Sequence, residues 1–137
     1  MVFDKLFQYG LQNAFLSRIS RSNDKNYFIL EFNDGIYELN ENIKETKITS
    51  KCTMTINIKS TDKAKESYNI HRWFAKYNVI SVGKLNALAK KYKIMIIDVF
   101  YSMFDNDTIY FKAKYNNVAL EIKLYNCESI EYSFEKI

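Results

Sequence analysis

Two spacings of apolar residues divide the chain into predicted helices and strands. Over residues 3–15 apolar side chains recur every three or four positions, which predicts an amphipathic N-terminal helix. Gly10 lies inside this apolar stripe, and a glycine there indicates that another element packs close to the chain at that point.

From residue 27 the apolar spacing changes to two, which predicts antiparallel strands. Phe28, Leu30 and Phe32 alternate with other side chains, and the turn sequence of residues 33–35 predicts a hairpin into a strand over 36–39. Residues 52–58 alternate in the same way, and residues 43–49 form a weaker candidate strand.

Two helices are predicted in the centre of the chain. In residues 62–77 the apolar side chains of Ile70, Trp73, Phe74 and Tyr77 follow helical spacing. The second helix begins after Ser81, a residue type that caps helix N-termini, and continues to about residue 92.

The last third of the sequence predicts an antiparallel β-meander. Strands over 94–103, 109–115, 118–124 and 130–134 are separated by turn sequences, among them residues 105–107 and 116–117. The sequence therefore predicts one compact α+β domain over residues 1–137, with an N-terminal helix, antiparallel strands, two central helices and this meander.

Composition indicates a folded, soluble, cytoplasmic protein. The chain has 137 residues, 47% of them hydrophobic and 16% aromatic, which is enough to build a core. No apolar run approaches the ~20 residues of a membrane span, and the first residues do not resemble a signal peptide. Lys outnumbers Arg by 17 to 3, and Asn, Ile and Tyr are frequent, which is typical of an AT-rich genome or of a phage or plasmid living in one.

Few residues offer catalytic or metal-binding chemistry. Cys52 and Cys127 have no second ligand at zinc spacing, and both lie in strand patterns, so we expect reduced, buried thiols. His71 is the single histidine, and its position beside Trp73 predicts a packing role. The sequence predicts no cofactor and no metal.

Positive charge is concentrated in the predicted central helices. Residues 59–93 carry nine cationic and two acidic residues, a net charge of +7 against +4 for the whole chain. Such a face attracts phosphates or acidic protein surfaces, although a solvated lysine face produces the same pattern. The predicted partner-binding residues are Lys65, Tyr68, Asn69, Arg72, Lys76, Lys84, Lys90, Lys91 and Lys93.

The two central helices also permit a helix-turn-helix interpretation. Their short connection and the capped second helix are compatible with this motif, which would make the protein a nucleic-acid-binding module. However, the connection lacks the usual glycine, and the second helix offers mainly lysines instead of the side chains that usually read bases.

A short segment resembles the core motif of the PD-(D/E)xK nucleases. The resemblance covers residues 107–123, and it implies that Asp107 and Glu121 ligate a divalent metal while Lys123 stabilises charge at the phosphodiester. The proline of that motif is missing, and few residues follow Lys123. Alternating Glu and Lys also occur on ordinary hairpin strands.

The sequence therefore favours a non-enzymatic binding or inhibitor protein. It would occlude a host protein or protein–nucleic-acid complex, docking through the basic face and burying aromatic anchors such as Tyr68 or Tyr101. In general character the chain resembles small phage antagonists of host defence such as anti-CRISPR proteins, although it carries no motif of such a family. DNA or RNA remain alternative partners, and no membrane is predicted.

Overall fold

The computed structural model describes residues 5–22, 24, 26–59, 65–72 and 75–136, with the backbone alone for residues 72 and 75–77. In chain order the elements are β1 (Phe15–Leu16), β2 (Arg18–Arg21), β3 (Tyr27–Phe32), β4 (Tyr37–Leu39), β5 (Glu45–Ile48), β6 (Cys52–Ile58), β7 (Glu66–Arg72), β8 (Ala75–Ile80), α1 (Val82–Lys91), β9 (Ile94–Ser102), β10 (Thr108–Tyr115), β11 (Val118–Leu124) and β12 (Cys127–Phe134).

The protein is mostly β, so the predicted α+β class with three helices is wrong. Among the described residues, strands account for 57% and helix for 10%. Of the predicted helices, the one that begins after Ser81 is present, as α1. In the other two predicted helices, residues 7–16 form turns, a bridge and a strand, and residues 66–72 and 75–80 form strands.

Two larger sheets and a small one organise the strands, and all pairings are antiparallel. The six-stranded sheet has the order β1-β9-β10-β11-β7-β8, the four-stranded sheet has the order β12-β6-β3-β2, and β4 pairs with β5. The chain changes sheets at Ser17, whose backbone N–H donates to the carbonyl of Glu31 at 2.8 Å.

The core lies between the inward faces of the two larger sheets. Along β6, Cys52, Met54, Ile56 and Ile58 are buried, while the residues between them are partly exposed. Buried side chains from both larger sheets, together with Leu85 of α1, form one hydrophobic cluster. The period-two pattern of the sequence therefore marks the face that each strand buries.

The first predicted central helix, residues 62–77, is wrong because the described part of this segment forms the paired strands β7 and β8. Tyr68 and Ile70 point inward from β7, where they lie opposite Ile122 and Leu120 of β11. Burial in this ladder prevails over the helical spacing. Residues 62–64, 73 and 74 lie outside the described residues.

The predicted N-terminal helix is wrong because the chain forms a bridge and then a strand. Gly10 makes an isolated antiparallel bridge with Tyr37, and β1 pairs with β9. The close approach predicted at Gly10 is confirmed, since a Cβ there would lie 2.7 Å from the Glu45 carboxylate.

The C-terminal meander is confirmed for three strands and wrong for the fourth. β9, β10 and β11 pair in sequence, but β12 crosses to the four-stranded sheet and pairs with β6.

The turn at residues 33–35 forms, with Gly35 at φ 85°, yet β3 pairs with β2 and β6, and β4 pairs with β5. The predicted hairpin between β3 and β4 is therefore wrong.

The hairpin between β10 and β11 depends on two asparagines with left-handed backbone. Asn116 and Asn117 have φ values of 45° and 65°, as a two-residue type I′ turn requires.

We expect Asn117→Val to lower the free energy of unfolding by about 1–2 kcal/mol, because a β-branched residue is strained in this conformation. Urea denaturation measures the change, and Asn117→Gly, which tolerates positive φ, should match the wild type or exceed it.

The prediction of reduced, buried cysteines is confirmed. Cys52 lies opposite Phe134 and Cys127 opposite Ile58, at the two ends of the β6–β12 ladder, so the two thiols cannot form a disulfide. Burial raises the pKa of Cys52 to about 11 and that of Cys127 to about 12.

Candidate binding surface

Four of the predicted partner-binding residues share one exposed surface. Lys84, Lys90 and Lys91 lie on α1, and Lys93 follows it; all four are exposed. We call this surface the lysine face. Ser81 caps α1 by accepting a hydrogen bond from the backbone N–H of Lys84 at 3.1 Å, so the predicted cap is confirmed.

The other predicted partner-binding residues lie on or beside β7 and β8 and do not form a helical face with these lysines. Lys65 is exposed just before β7, whereas Tyr68 and Asn69 are 4% and 8% exposed. Tyr68 packs in the core, which removes it as an anchor for a partner. The side chains of Arg72 and Lys76 lie outside the described residues.

Aromatic rings lie beneath two ammonium groups at the C-terminal end of the lysine face. Lys91 Nζ lies 5.3 Å from the ring centroid of Tyr92, and Lys93 Nζ lies 5.0 Å from that of Phe15. The Tyr92 ring stacks on Tyr115 of β10 with a centroid distance of 5.6 Å. Cation–π attraction to these rings favours positions of the two ammonium groups close to the sheet.

The side chain of Asn86 fixes α1 to the edge of the four-stranded sheet. Its Oδ1 accepts from the backbone N–H of Ile19 at 2.9 Å, and its Nδ2 donates to the Ile19 carbonyl at 2.8 Å. The amide therefore replaces a neighbouring strand at the edge of β2 and covers groups that would otherwise be open to pairing. This contact sets the position of the lysine face.

An open groove of about 580 Å³ runs between α1 and the edge of this sheet. Its cations are Arg18, Lys51 and Lys90, and Ser17 and Asn33 add polar groups. Glu31 is the one carboxylate among the described residues of the lining, and it lies 3.9 Å from Arg18 in an exposed ion pair. The groove extends the positive charge of the lysine face.

Sequence reasoning missed Arg18 and Lys51 because sheet pairing brings them to α1. Arg18 is on β2, and Lys51 lies just before β6, on the other side of β3 in the sheet order. No local spacing in the sequence links either residue to the helix.

The outward face of the six-stranded sheet carries a second polar cluster, centred on Glu121. Its Oε1 accepts a hydrogen bond from the Tyr110 hydroxyl, and its Oε2 lies 3.1 Å from Nε2 of His71. Burial raises the pKa of Glu121, but the hydrogen bonds from Tyr110 and His71 act in the opposite direction. On balance, the pKa of Glu121 is lowered. His71 lies on a strand in this cluster, not on a helix beside Trp73 as its sequence position predicted.

The two carboxylates of the nuclease-like segment do not meet. Glu121 lies opposite Lys112, five residues along β10 from Asp107, which corresponds to a separation of about 16 Å. Asp107 contacts Tyr101 and Lys59 at the end of the sheets, whereas Glu121 contacts side chains on the outward face. In the part of the chain that the structure describes, no three His, Cys, Asp or Glu residues lie together as metal ligands.

Asp107 instead connects the two larger sheets. Its Oδ1 accepts from the Tyr101 hydroxyl at 2.5 Å, and its Oδ2 accepts from Lys59, which follows β6. These two hydrogen bonds, first that from Lys59, lower the pKa of Asp107. Tyr101 is occupied by this contact, which reduces its availability as an anchor.

We expect Asp107→Asn to lower the free energy of unfolding by about 1 kcal/mol at neutral pH, since the ion pair is partly screened by solvent. A lowered folded pKa stabilises the protein above the unfolded pKa of an aspartate, and this contribution disappears as the pH falls through the folded pKa. Urea denaturation at several pH values should therefore show wild type and variant converging in acid. A difference that persists in acid would contradict this role.

The comparisons with known proteins give no relative: no family, no curated protein and no solved structure matches the chain. Among the described residues, no helix is long and apolar enough to cross a bilayer.

Proposed function

We propose that this protein is a non-enzymatic binding protein that docks its lysine face on the phosphate backbone of a nucleic acid within a nucleoprotein. The observation that carries the proposal is the convergence of cations from three parts of the chain. Lys90 of the lysine face lines one groove together with Arg18 and Lys51, with Glu31 as the opposing carboxylate among the described residues that line it.

The chemistry of this surface suits phosphates better than bases. Lysine is a compact charge without the planar fork with which arginine binds guanine, and three arginines occur in the whole sequence. Hydroxyl and amide groups beside lysines are typical contacts to phosphate and sugar. We therefore expect binding without marked sequence preference.

The dimensions of α1 agree with contacts to several neighbouring phosphates. Lys84 and Lys91 are seven residues apart on the helix, a rise of about 10 Å. Phosphates of one DNA strand repeat about every 3.4 Å along the duplex axis, so this separation covers about three of them. With a contact from the groove, about four phosphates would be neutralised.

Occlusion is the mechanism that this arrangement supports. A β-rich domain held on a nucleic acid by one face would block the access of other molecules to that nucleic acid without chemical change. The composition of the chain is also typical of AT-rich genomes. We therefore propose that the protein is a phage- or mobile-element-encoded antagonist of a host nucleoprotein. The nucleic-acid contact in this proposal uses one helix beside a sheet edge and no helix-turn-helix pair.

The experiment is a titration of fluorescent single- and double-stranded DNA and RNA with the purified protein over a series of salt concentrations. About four phosphate contacts predict that the logarithm of the affinity falls with the logarithm of salt with a slope of about −3 to −4. No binding at low salt would contradict a nucleic-acid contact. Capture of an acidic host protein by the wild type would then assign the lysine face to a protein partner.

A further inference from the structure

A small apolar cavity lies on another part of the molecule, between the N-terminal segment, the β4–β5 pair and β9. Its volume is about 150 Å³, and it shares no lining residue with the groove beside α1. The Gly10–Tyr37 bridge holds the N-terminal segment against β4 through two backbone hydrogen bonds of 2.8 and 2.9 Å. Apolar side chains form most of the wall, chiefly Leu6, Leu11, Leu39, Ile43 and Val99.

One carboxylate oxygen in this wall lacks a partner. Glu45 begins β5, and its Oε1 accepts a hydrogen bond from Nδ2 of Asn13 at 3.1 Å. Its Oε2 is covered from solvent and has no hydrogen-bond partner among the described residues. A buried acceptor without a donor is costly, so a ligand that supplies a charged donor would gain free energy there.

Gly10 creates the space for this carboxylate. A Cβ at position 10 would lie 2.7 Å from Glu45 Oε2 and 2.8 Å from its Cγ, so any side chain there would displace Glu45. Burial raises the pKa of Glu45, and the hydrogen bond from Asn13 offsets only part of this shift. Asp98 adds a second carboxylate to the lining, although its Oδ1 already accepts from the backbone N–H of Val99.

We propose that this cavity binds a small organic cation, a primary ammonium group on a short aliphatic or aromatic stem. A rotation of the Glu45 side chain would bring Oε2 from its covered position beside Gly10 into contact with the ammonium, and the stem would pack on Leu39, Leu11 and Val99. An apolar cavity of about this volume holds one benzene ring, which sets the size of the stem. The site is independent of the proposed nucleic-acid contact, so either proposal can fail alone.

The test is an NMR titration of the ¹⁵N-labelled protein with benzylammonium chloride at neutral pH and constant ionic strength. Benzyl alcohol is the neutral probe of nearly the same shape. We expect saturable shifts of the Gly10 and Glu45 amide signals with a dissociation constant of about 1 mM for the cation. Benzyl alcohol should bind at least about tenfold more weakly, because it lacks the charge-assisted hydrogen bond.

Two variants locate the binding. Glu45→Gln keeps an acceptor for Asn13 and should lower the affinity for benzylammonium about tenfold, which brings it close to that of benzyl alcohol. Glu38→Gln removes an exposed carboxylate from the adjoining β4 and should leave the affinity unchanged. Equal affinities of the wild type for the two probes, an unchanged affinity in Glu45→Gln, or no saturable shift would each overturn the proposal.

Discussion

A variant in which Lys84, Lys90 and Lys91 are all replaced by alanine is expected to bind nucleic acid about a hundredfold more weakly than the wild type. Each lysine contributes about 1 kcal/mol when it neutralises a phosphate and releases a counterion, and about 2.7 kcal/mol corresponds to a factor of a hundred. Alanine is the strongest helix former, so α1 should remain folded. Lys90 and Lys91 also lie in the last turn, where their loss costs the helix a few tenths of a kcal/mol.

A matched variant separates this surface from the effect of net charge. Lys44 precedes β5, and Lys112 and Lys123 lie on β10 and β11; none of the three belongs to the lysine face or lines the groove, and their replacement by alanine changes the net charge by the same amount. We expect this variant to bind within about threefold of the wild type, because it keeps the local phosphate contacts. Anisotropy titrations of the three proteins at one salt concentration provide the comparison. Equal losses in both variants would show that attraction is general and that the lysine face has no special role.

The second large effect is expected at Asn86, where Asn86→Ala should lower the free energy of unfolding by about 2–3 kcal/mol. The substitution removes two hydrogen bonds to Ile19 and leaves both backbone groups of that residue without their partner. Asn86→Asp should cost at least as much, since its carboxylate can accept from the N–H but would face the Ile19 carbonyl oxygen without a proton to share.

Urea denaturation of these variants measures the loss at Asn86. Asn78→Ala is the control, because Asn78 is an exposed residue of β8, and its replacement should change the stability by less than about 0.5 kcal/mol. A loss at Asn86 as small as that of the control would mean that the amide does not hold α1 on β2. An open β2 edge should also favour association, which light scattering of Asn86→Ala would detect.

The part of the fold that could be predicted is the part fixed by local pattern. In β10 and β11 strict alternation and a two-residue turn are adjacent in the sequence, and they define the hairpin and its register. The cap at Ser81 is a local signal in the same sense, and it correctly located α1. Such signals need no information about distant partners.

The wrong predictions concern segments whose structure depends on distant strands. Ile70 has helical spacing to later apolar residues, but it also alternates with Tyr68, and the pairing of β7 with β11 decides for the strand. β12 follows β11 directly in the chain and still joins the other sheet, because its partner β6 is far earlier in the sequence. Neither pairing can be recognised from the sequence of the segment itself.

The N-terminal stripe failed for a related reason. Leu6, Leu11 and Ala14 are buried, as an apolar stripe predicts, but they reach the core from a turn-rich segment. Gly10 is bridged to β4, and Asn13 has a φ of 70°, so a continuous helix cannot form. Burial was therefore predictable there, whereas the backbone conformation was not.

The candidate binding surface was predictable only where its charges lie on one element. The α1 lysines share a helix, and their exposure follows from the apolar side that contains Leu85. Lys65, Arg72 and Lys76 were joined to them by a helix that does not exist, and Arg18 and Lys51 reach the groove through sheet pairing.

The most direct test of the proposed function is NMR mapping of the protein while an unlabelled oligonucleotide is added. We expect amide shifts to concentrate on residues 84–93, with further changes at Arg18 and Lys51 and little change along β10 and β11. Shifts centred on the outward face of the six-stranded sheet, around Tyr110 and Glu121, would contradict it. So would the absence of any shift at low salt.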